Sequence, residues 1–509
     1  MNKKSFKQKV DEFFKISALN SSFRVEIIAG IATFLAMAYI LIVNPNQILF
    51  GGTADGRWAS LFIATAFGAI IGTLLMSLYA KMPLAQASGM GLNSTLGGVF
   101  GGGLGFFAYT YEYSLANALL LVFISGVLFL LLSIIPIKKD KETGKFVTLR
   151  EKIFDGMPEC IRKAIPVGIG LFIAFIGMQN AGIIIDNKYV LVSFVDFTQM
   201  FTGNFKAVAP ALVGLISFVL ICIFSHFKVK GSVIYGILIA TVLAIPLGVA
   251  NLDILAGKVS GVSWKFWENF GTYFSSDNGL FFKVFTEGFK MPEGSVMTSI
   301  MLVITFCMID MFDTMGTVVG CAANANLMDE NGKPLNYNKI MISDSIATVT
   351  GSIFGTSTVT TFVESGTGIA AGGKTGFASL ITAALFTLAI FLLPLFAFIP
   401  SAAAAGALMY VGVLMMSNVK NIDFHSIKNA APAFMTIIMM VLTYSITKGI
   451  GIGIITYVLV NVIVYLVELI KYAVLKKNGN VEKPKFEVSI VALVIFALFL
   501  VYFLVPTKL

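Results

Sequence analysis

Histidine and charge are scarce in this chain. His226 and His425 are the only histidines in 509 residues, and charged residues make up 12%, about half the share of a soluble domain. Two histidines do not supply the nucleophile–base pair or metal cluster that a membrane-embedded enzyme needs, so no enzymatic activity and no cofactor are expected. The four cysteines, Cys160, Cys222, Cys307 and Cys321, have no metal-ligand spacing, and three lie in or beside apolar runs. That pattern offers neither a zinc site nor a disulfide framework. Met1-Asn2-Lys3-Lys4 leads into a mixed charged segment rather than an apolar h-region, so the first apolar run is expected to act as both signal and span. What abounds is apolar surface: 57% hydrophobic residues and a mean hydropathy of +0.88. The chain reads as an all-α polytopic membrane protein. Its net charge of +9 does not point to nucleic acid, because the basic residues sit in short loops between apolar runs.

About 20 apolar residues cross the hydrocarbon. Candidate spans fall at 24–43, 58–80, 84–104, 114–136, 162–183, 207–226 and 231–250, then at 296–320, 340–355, 357–373, 376–398, 401–418, 429–446 and 449–472. A further apolar run, 487–506, lies outside this set and either spans or rests at the surface. Each even-numbered span exits into basic residues, among them Lys81, Lys138, Lys228, Lys339, Lys374, Lys420 and Lys485. The positive-inside rule then places the N-terminal segment 1–22 in the cytoplasm of a multi-pass plasma-membrane protein. Seven spans per half make the halves inverted relative to one another. The long connection 251–293, with Trp264, Trp267 and Tyr273, reads as an external amphipathic piece, and 473–509 as a C-terminal segment.

An internal repeat supports that division. Ile63-Ala64-Thr65-Ala66-Phe67-Gly68-Ala69-Ile70-Ile71-Gly72-Thr73 recurs 283 positions later as Ile346-Ala347-Thr348-Val349-Thr350-Gly351-Ser352-Ile353-Phe354-Gly355-Thr356, identical at seven of eleven positions. Ser88-Gly89-Met90-Gly91 and Ser365-Gly366-Thr367-Gly368 follow in the same order. Paired glycine-interrupted segments in two halves of an apolar chain point to a transporter's binding site. The spans at 84–104 and 357–373 hold too many Gly, Ser and Thr for lipid-facing helices. Thr356 to Val363 is β-branched and polar, hence strand-like, and its partner is Pro83 to Ser88. Irregular backbone at membrane depth must be buried or line a cavity, so two short strands feeding two half-helices are expected to face one site. Close helix packing through small residues is the competing reading.

Acids inside the membrane are functional by default. Asp310 and Asp313 stand at i, i+3 in the eighth span with Thr314 and Thr317 beside them. Asp313 ranks first, and for Asp310 a structural hydrogen-bonding role weighs equally. Glu364 opens the second half-helix, where an acid is suited to proton coupling. Asp344 is expected to cap the ninth span. Phe362 and Tyr39 read as packing residues rather than as platforms for an aromatic ligand. No Lys or Arg falls within the broken segments, which suits a neutral solute rich in N–H donors, or a cation, better than an anion.

The motifs resemble a known family. Gly30-Ile31-Ala32-Thr33-Phe34-Leu35-Ala36-Met37-Ala38-Tyr39-Ile40 with Asn44-Pro45, Gly168 to Gly177 with Gln179-Asn180-Ala181-Gly182, Phe312-Asp313-Thr314, and Gly355 to Thr361 with Glu364-Ser365 and Gly372 to Gly376 are similar to the AzgA-like purine permeases of the nucleobase–cation symporter 2 group. The likeness runs over about residues 20–470. It implies a uracil-permease-like fold, a 7+7 inverted repeat with short β-strands in two broken spans. It also implies a core domain of spans 1–4 and 8–11 (23–136 and 294–398) and a gate domain of spans 5–7 and 12–14 (162–250 and 399–472). The implied activity is proton-coupled import of adenine, guanine or hypoxanthine by alternating access, with the base held by Asp313 and Glu364 and the span-three Asn falling on Asn93. Ser365, Gly366, Ser88 and Thr317 complete the expected substrate-binding set, and the proton is carried on Glu364 or Asp313. Ser88 departs from the family's usual proline, which leaves the preferred purine open. The expected partners are the purine base and the lipid bilayer, without nucleic acid, and with a homodimer as the assembly to test. The alternatives are an anion exchanger or channel of the same architecture, and a carrier of uracil or xanthine.

Overall fold

The computed structural model describes residues 5–50, 56–101, 112–139, 146–187, 189–259, 261–329, 334–475 and 484–504. The end of the expected span at 84–104, part of the N-terminal segment and the last residues of the run 487–506 lie outside them. Among the described residues eight helices are long and apolar enough to cross a membrane, including Phe23–Ile48, Gly56–Ala80, Glu159–Asn180 and Ile446–Val474. Shorter apolar helices at Ser232–Ala244, Gly376–Ile390 and Ile427–Leu442 and the helix Tyr337–Phe354 occupy expected spans seven, eleven, thirteen and nine. The two remaining spans are broken as expected. Strand Gln86–Ser88 leads into helix Met90–Phe100, and strand Val359–Thr361 leads into helix Ser365–Ala370. Among the described residues these make fourteen elements in two sets of seven, with Ile490–Leu504 outside the repeat.

The chain forms two compact units. One comprises Met1–Ser133, Ile173–Pro292 and Phe306–Val411; the other comprises Ile134–Phe172, Glu293–Thr305 and Gly412–Leu509. In the second unit, a Cβ on Gly451 would overlap the Phe499 ring, so this glycine lets the extra apolar helix pack closely. Lys428 there sits 3.6 Å from Glu468.

All residues of the candidate site belong to the first unit. Its centre is where the two copies of the repeated phrase meet. Helices Gly56–Leu75 and Tyr337–Phe354 approach through equivalent glycines: a Cβ on Gly68 would lie 4.0 Å from Gly351 Cα, and one on Gly351 would lie 2.6 Å from Val359 Cγ2. The repeated threonines are equivalent too. Thr65 accepts from Asn44 Nδ2 at 2.6 Å, and Thr348 donates to Asp310 Oδ2 at 2.7 Å. Each copy thus ties its own first span to its second through the same threonine.

Candidate functional site

The strands Gln86–Ser88 and Val359–Thr361 pair antiparallel, with Gln86 opposite Thr361, Ala87 opposite Thr360 and Ser88 opposite Val359. Three residues each are too few to satisfy this backbone alone, and an unpaired amide in lipid costs several kcal/mol. The surrounding hydroxyls complete the account. Ala85 N–H donates to Ser365 Oγ at 3.0 Å, Gln86 N–H to Thr73 Oγ1 at 3.0 Å, Val359 N–H to Thr348 Oγ1 at 3.2 Å and Thr361 N–H to Thr314 Oγ1 at 3.2 Å. Ser379 Oγ contacts the carbonyls of Met82 and Leu84 at 2.8 and 2.7 Å. Much of the Ser and Thr content of these spans therefore satisfies irregular backbone.

Side chains alternate across a strand, and this alternation sorts the acids. The cross-strand pair Gln86 and Thr361 turns to Asp344 Oδ1, with Gln86 Nε2 at 2.5 Å and Thr361 Oγ1 at 3.3 Å. Thr360, on the opposite face, reaches Asp313 Oδ2 at 3.4 Å. Asp344 is fully buried and lies in the interior of helix Tyr337–Phe354. It does not cap that helix, which corrects the expectation: the helix begins at Tyr337, about two turns before Asp344, whose carboxylate meets the strand pair instead. Asp310, 1% exposed, is engaged by Thr348. Three residues further on, Asp313 is only half-buried. The i, i+3 acids thus have different neighbours, Asp310 within the helix packing and Asp313 on the Thr360 side of the strands.

Glu364 is the residue before helix Ser365–Ala370. Its Oε1 accepts from the Tyr39 hydroxyl at 2.6 Å, while Oε2 is shielded from solvent and has no protein partner. Asp313 and Glu364 lie within electrostatic reach of one another, and among the described residues neither takes part in an ion pair. A Cβ on Gly366, Gly316 or Gly320 would meet nothing within 4 Å, so open space borders both the half-helix and the Asp313 helix. Thr317, half-buried, is one turn beyond Asp313. Gly368, by contrast, is pressed against Thr33 and the Ala29 carbonyl of the first span. Within the Ser-Gly-x-Gly motif of the second half, one glycine leaves room and the other permits packing.

The remaining expected residues are buried at the crossing. Asn93 Nδ2 donates to the Ser88 carbonyl at 3.3 Å, and its Oδ1 accepts from the Ser357 hydroxyl. The Ser88 hydroxyl is 2.6 Å from Thr356 Oγ1, and the Ser365 hydroxyl holds Ala85 N–H. Asp313, Glu364, Gly366 and Thr317 are thus partly open, whereas Asn93, Ser88 and Ser365 are fully buried with protein partners. The residue that sequence reading set aside is Tyr39, whose hydroxyl serves Glu364 and whose ring is fully buried.

A family model described as "Permease family" (Xan_ur_permease) matches residues 24–452. The guanine/hypoxanthine permease PbuG of Bacillus subtilis is 35% identical to this chain, over 87% of this chain and 92% of its own length. The adenine permease AdeP of Escherichia coli is 32% identical, over 89% and 90%. Among solved structures, the transmembrane domain of the cyanobacterial bicarbonate transporter BicA superposes with a TM-score of 0.55 at 17% identity, covering 84% of this chain and 97% of that one. Murine Slc26a9 in its inward-facing state also reaches 0.55, at 13% identity over 91% and 73%. These structural likenesses establish the inverted-repeat fold. The chain belongs to the Permease family (Xan_ur_permease): it is a multi-pass membrane transporter and not an enzyme.

Proposed function

We propose that this permease imports purine nucleobases, namely hypoxanthine, guanine or adenine, by proton symport with alternating access. One observation carries the reading: among the described residues, Glu364 presents a shielded oxygen without a protein partner beside the open space at Gly366, with no cation paired to it. Such an acceptor suits a neutral ring with N–H donors, since an anion would meet two carboxyls. The names of the similar permeases, guanine/hypoxanthine for PbuG and adenine for AdeP, agree with this chemistry.

In this reading Asp313 and Glu364 accept N–H groups of the base, and one of them takes up the coupling proton. Gly366 lets the ring approach the half-helix backbone, and Thr317 lines the same opening. Asn93, Ser88 and Ser365 hold the crossing in shape at the edge of the bound base. Spans 1–4 and 8–11 act as the core that moves against spans 5–7 and 12–14, no cofactor takes part, and the N-terminus is cytoplasmic. A homodimer belongs to the same proposal and is checked by chemical cross-linking in membranes.

The test is uptake of radiolabelled hypoxanthine in cells lacking their own purine carriers. Saturable uptake should appear, fall with a protonophore, and be reduced by unlabelled guanine or adenine. Sulfate or bicarbonate flux without purine competition would assign the chain to anion exchange, and competition by uracil or xanthine alone would move the substrate class.

A further inference from the structure

Tyr39 stands at a break in the first span. The helix Phe23–Met37 gives way to Ile40–Ile48 with Ala38 and Tyr39 between them. The break brings the phenol to the entrances of both half-helices. Its oxygen is 2.6 Å from Glu364 Oε1 and 3.8 Å from the sulfur of Met90, the first residue of the other half-helix. A phenol has one proton, and a carboxylate is a far better acceptor than a thioether. Tyr39 therefore binds one oxygen of Glu364 and leaves the other, Oε2, without a protein partner.

We infer that Tyr39 is a specificity-determining residue: by occupying one oxygen of Glu364, it limits that carboxylate to one-point recognition of a purine edge. The inference rests on the purine reading above. Guanine presents N1–H and an exocyclic N–H side by side, spaced to meet both oxygens of a carboxylate. Hypoxanthine presents N1–H alone on that edge, and adenine presents an exocyclic N–H beside an acceptor nitrogen. Paired charge-assisted hydrogen bonds are the strong ones, so a carboxylate with both oxygens free would favour guanine. With Oε1 engaged by Tyr39, guanine loses that advantage and single-donor edges compete on equal terms. A phenylalanine at this position keeps the ring in the buried slot and frees Oε1.

The experiment is competition for labelled hypoxanthine uptake by unlabelled hypoxanthine and guanine, in wild type and Tyr39→Phe, with the amount of protein in the membrane measured in parallel. The ratio of half-inhibiting concentrations should shift toward guanine by about tenfold, the worth of one charge-assisted hydrogen bond. A purely structural role for Tyr39 would lower uptake and leave the ratio unchanged, and that result overturns the inference. If Tyr39→Phe does not reach the membrane, 3-fluorotyrosine at position 39 keeps the shape and donates more strongly. The ratio should then shift away from guanine, and an unchanged ratio again overturns the role. A wild-type protein whose uptake neither purine inhibits sinks the purine reading and this inference together. An unchanged ratio in a protein that does transport hypoxanthine sinks only the role of Tyr39.

Discussion

Glu364→Gln reduces hypoxanthine uptake at low substrate by about a hundredfold or more, and the residual uptake no longer rises as the medium is acidified. Glutamine keeps the length of the side chain, and its amide oxygen can still accept from Tyr39, which sits 2.6 Å from Oε1 in the native protein. The cost falls on the other atom. An NH2 group replaces Oε2, the shielded oxygen without a protein partner, and a donor then faces the donor of the base. A hydrogen bond to a charged group contributes about 1.5–3 kcal/mol, and a buried donor left unpaired costs about 1–3 more. Every 1.4 kcal/mol is about tenfold, so the two effects together account for the loss. The pH response disappears because glutamine cannot take up a proton. Initial uptake rates between pH 5 and 8, normalised to protein in the membrane, check this. Survival of both uptake and its pH dependence would remove Glu364 from binding and from coupling.

Gly351→Leu removes most of the folded protein from the membrane. A Cβ at Gly351 would already lie 2.6 Å from Val359 Cγ2 and 3.2 Å from Thr356 Cγ2, and leucine adds three more carbons. The neighbours cannot retreat. Val359 is fully buried, its N–H is held by Thr348 Oγ1, and its strand is paired to Gln86–Ser88. Overpacking of this kind costs about 1–3 kcal/mol where a core can adjust, and more where it cannot; total stability is only about 5–15 kcal/mol. Size-exclusion profiles of a fluorescent fusion should show loss of the monodisperse peak. Gly320→Leu is the control, because a Cβ there meets nothing within 4 Å, and its profile should resemble wild type. Equal profiles for wild type and Gly351→Leu would mean that the two copies of the repeat do not cross as described.

Gly68, Gly351, Thr65 and Thr348 were legible as a repeat because each pair performs the same packing task in both halves, and identical tasks select identical residues. The broken spans were legible for a related reason: Thr356 to Val363 is too β-branched and polar to face lipid as a helix. The strand itself is shorter, Val359–Thr361, and single backbone bonds from Phe362 N–H to the Ala85 carbonyl and from Gly89 N–H to the Thr358 carbonyl close its two ends. Asp344 was misread as a helix cap. Its donors, Gln86 and Thr361, stand 258 and 17 residues away, and nothing local reveals that strand alternation turns both toward it. Tyr39 was read as packing for the same reason, since Glu364 lies 325 residues further along the chain. Local composition marks where the backbone is irregular, but the partner of a buried polar group depends on which distant faces the fold brings together.

The measurement closest to the central claim is proton movement in proteoliposomes. Purified permease is reconstituted with a pH-sensitive dye inside, and hypoxanthine is added outside without any imposed gradient. Acidification of the lumen on addition of hypoxanthine, saturable and absent with Glu364→Gln, is the predicted result. Hypoxanthine entry with no acidification, or acidification that Glu364→Gln leaves intact, would contradict a proton-coupled purine site built around Glu364.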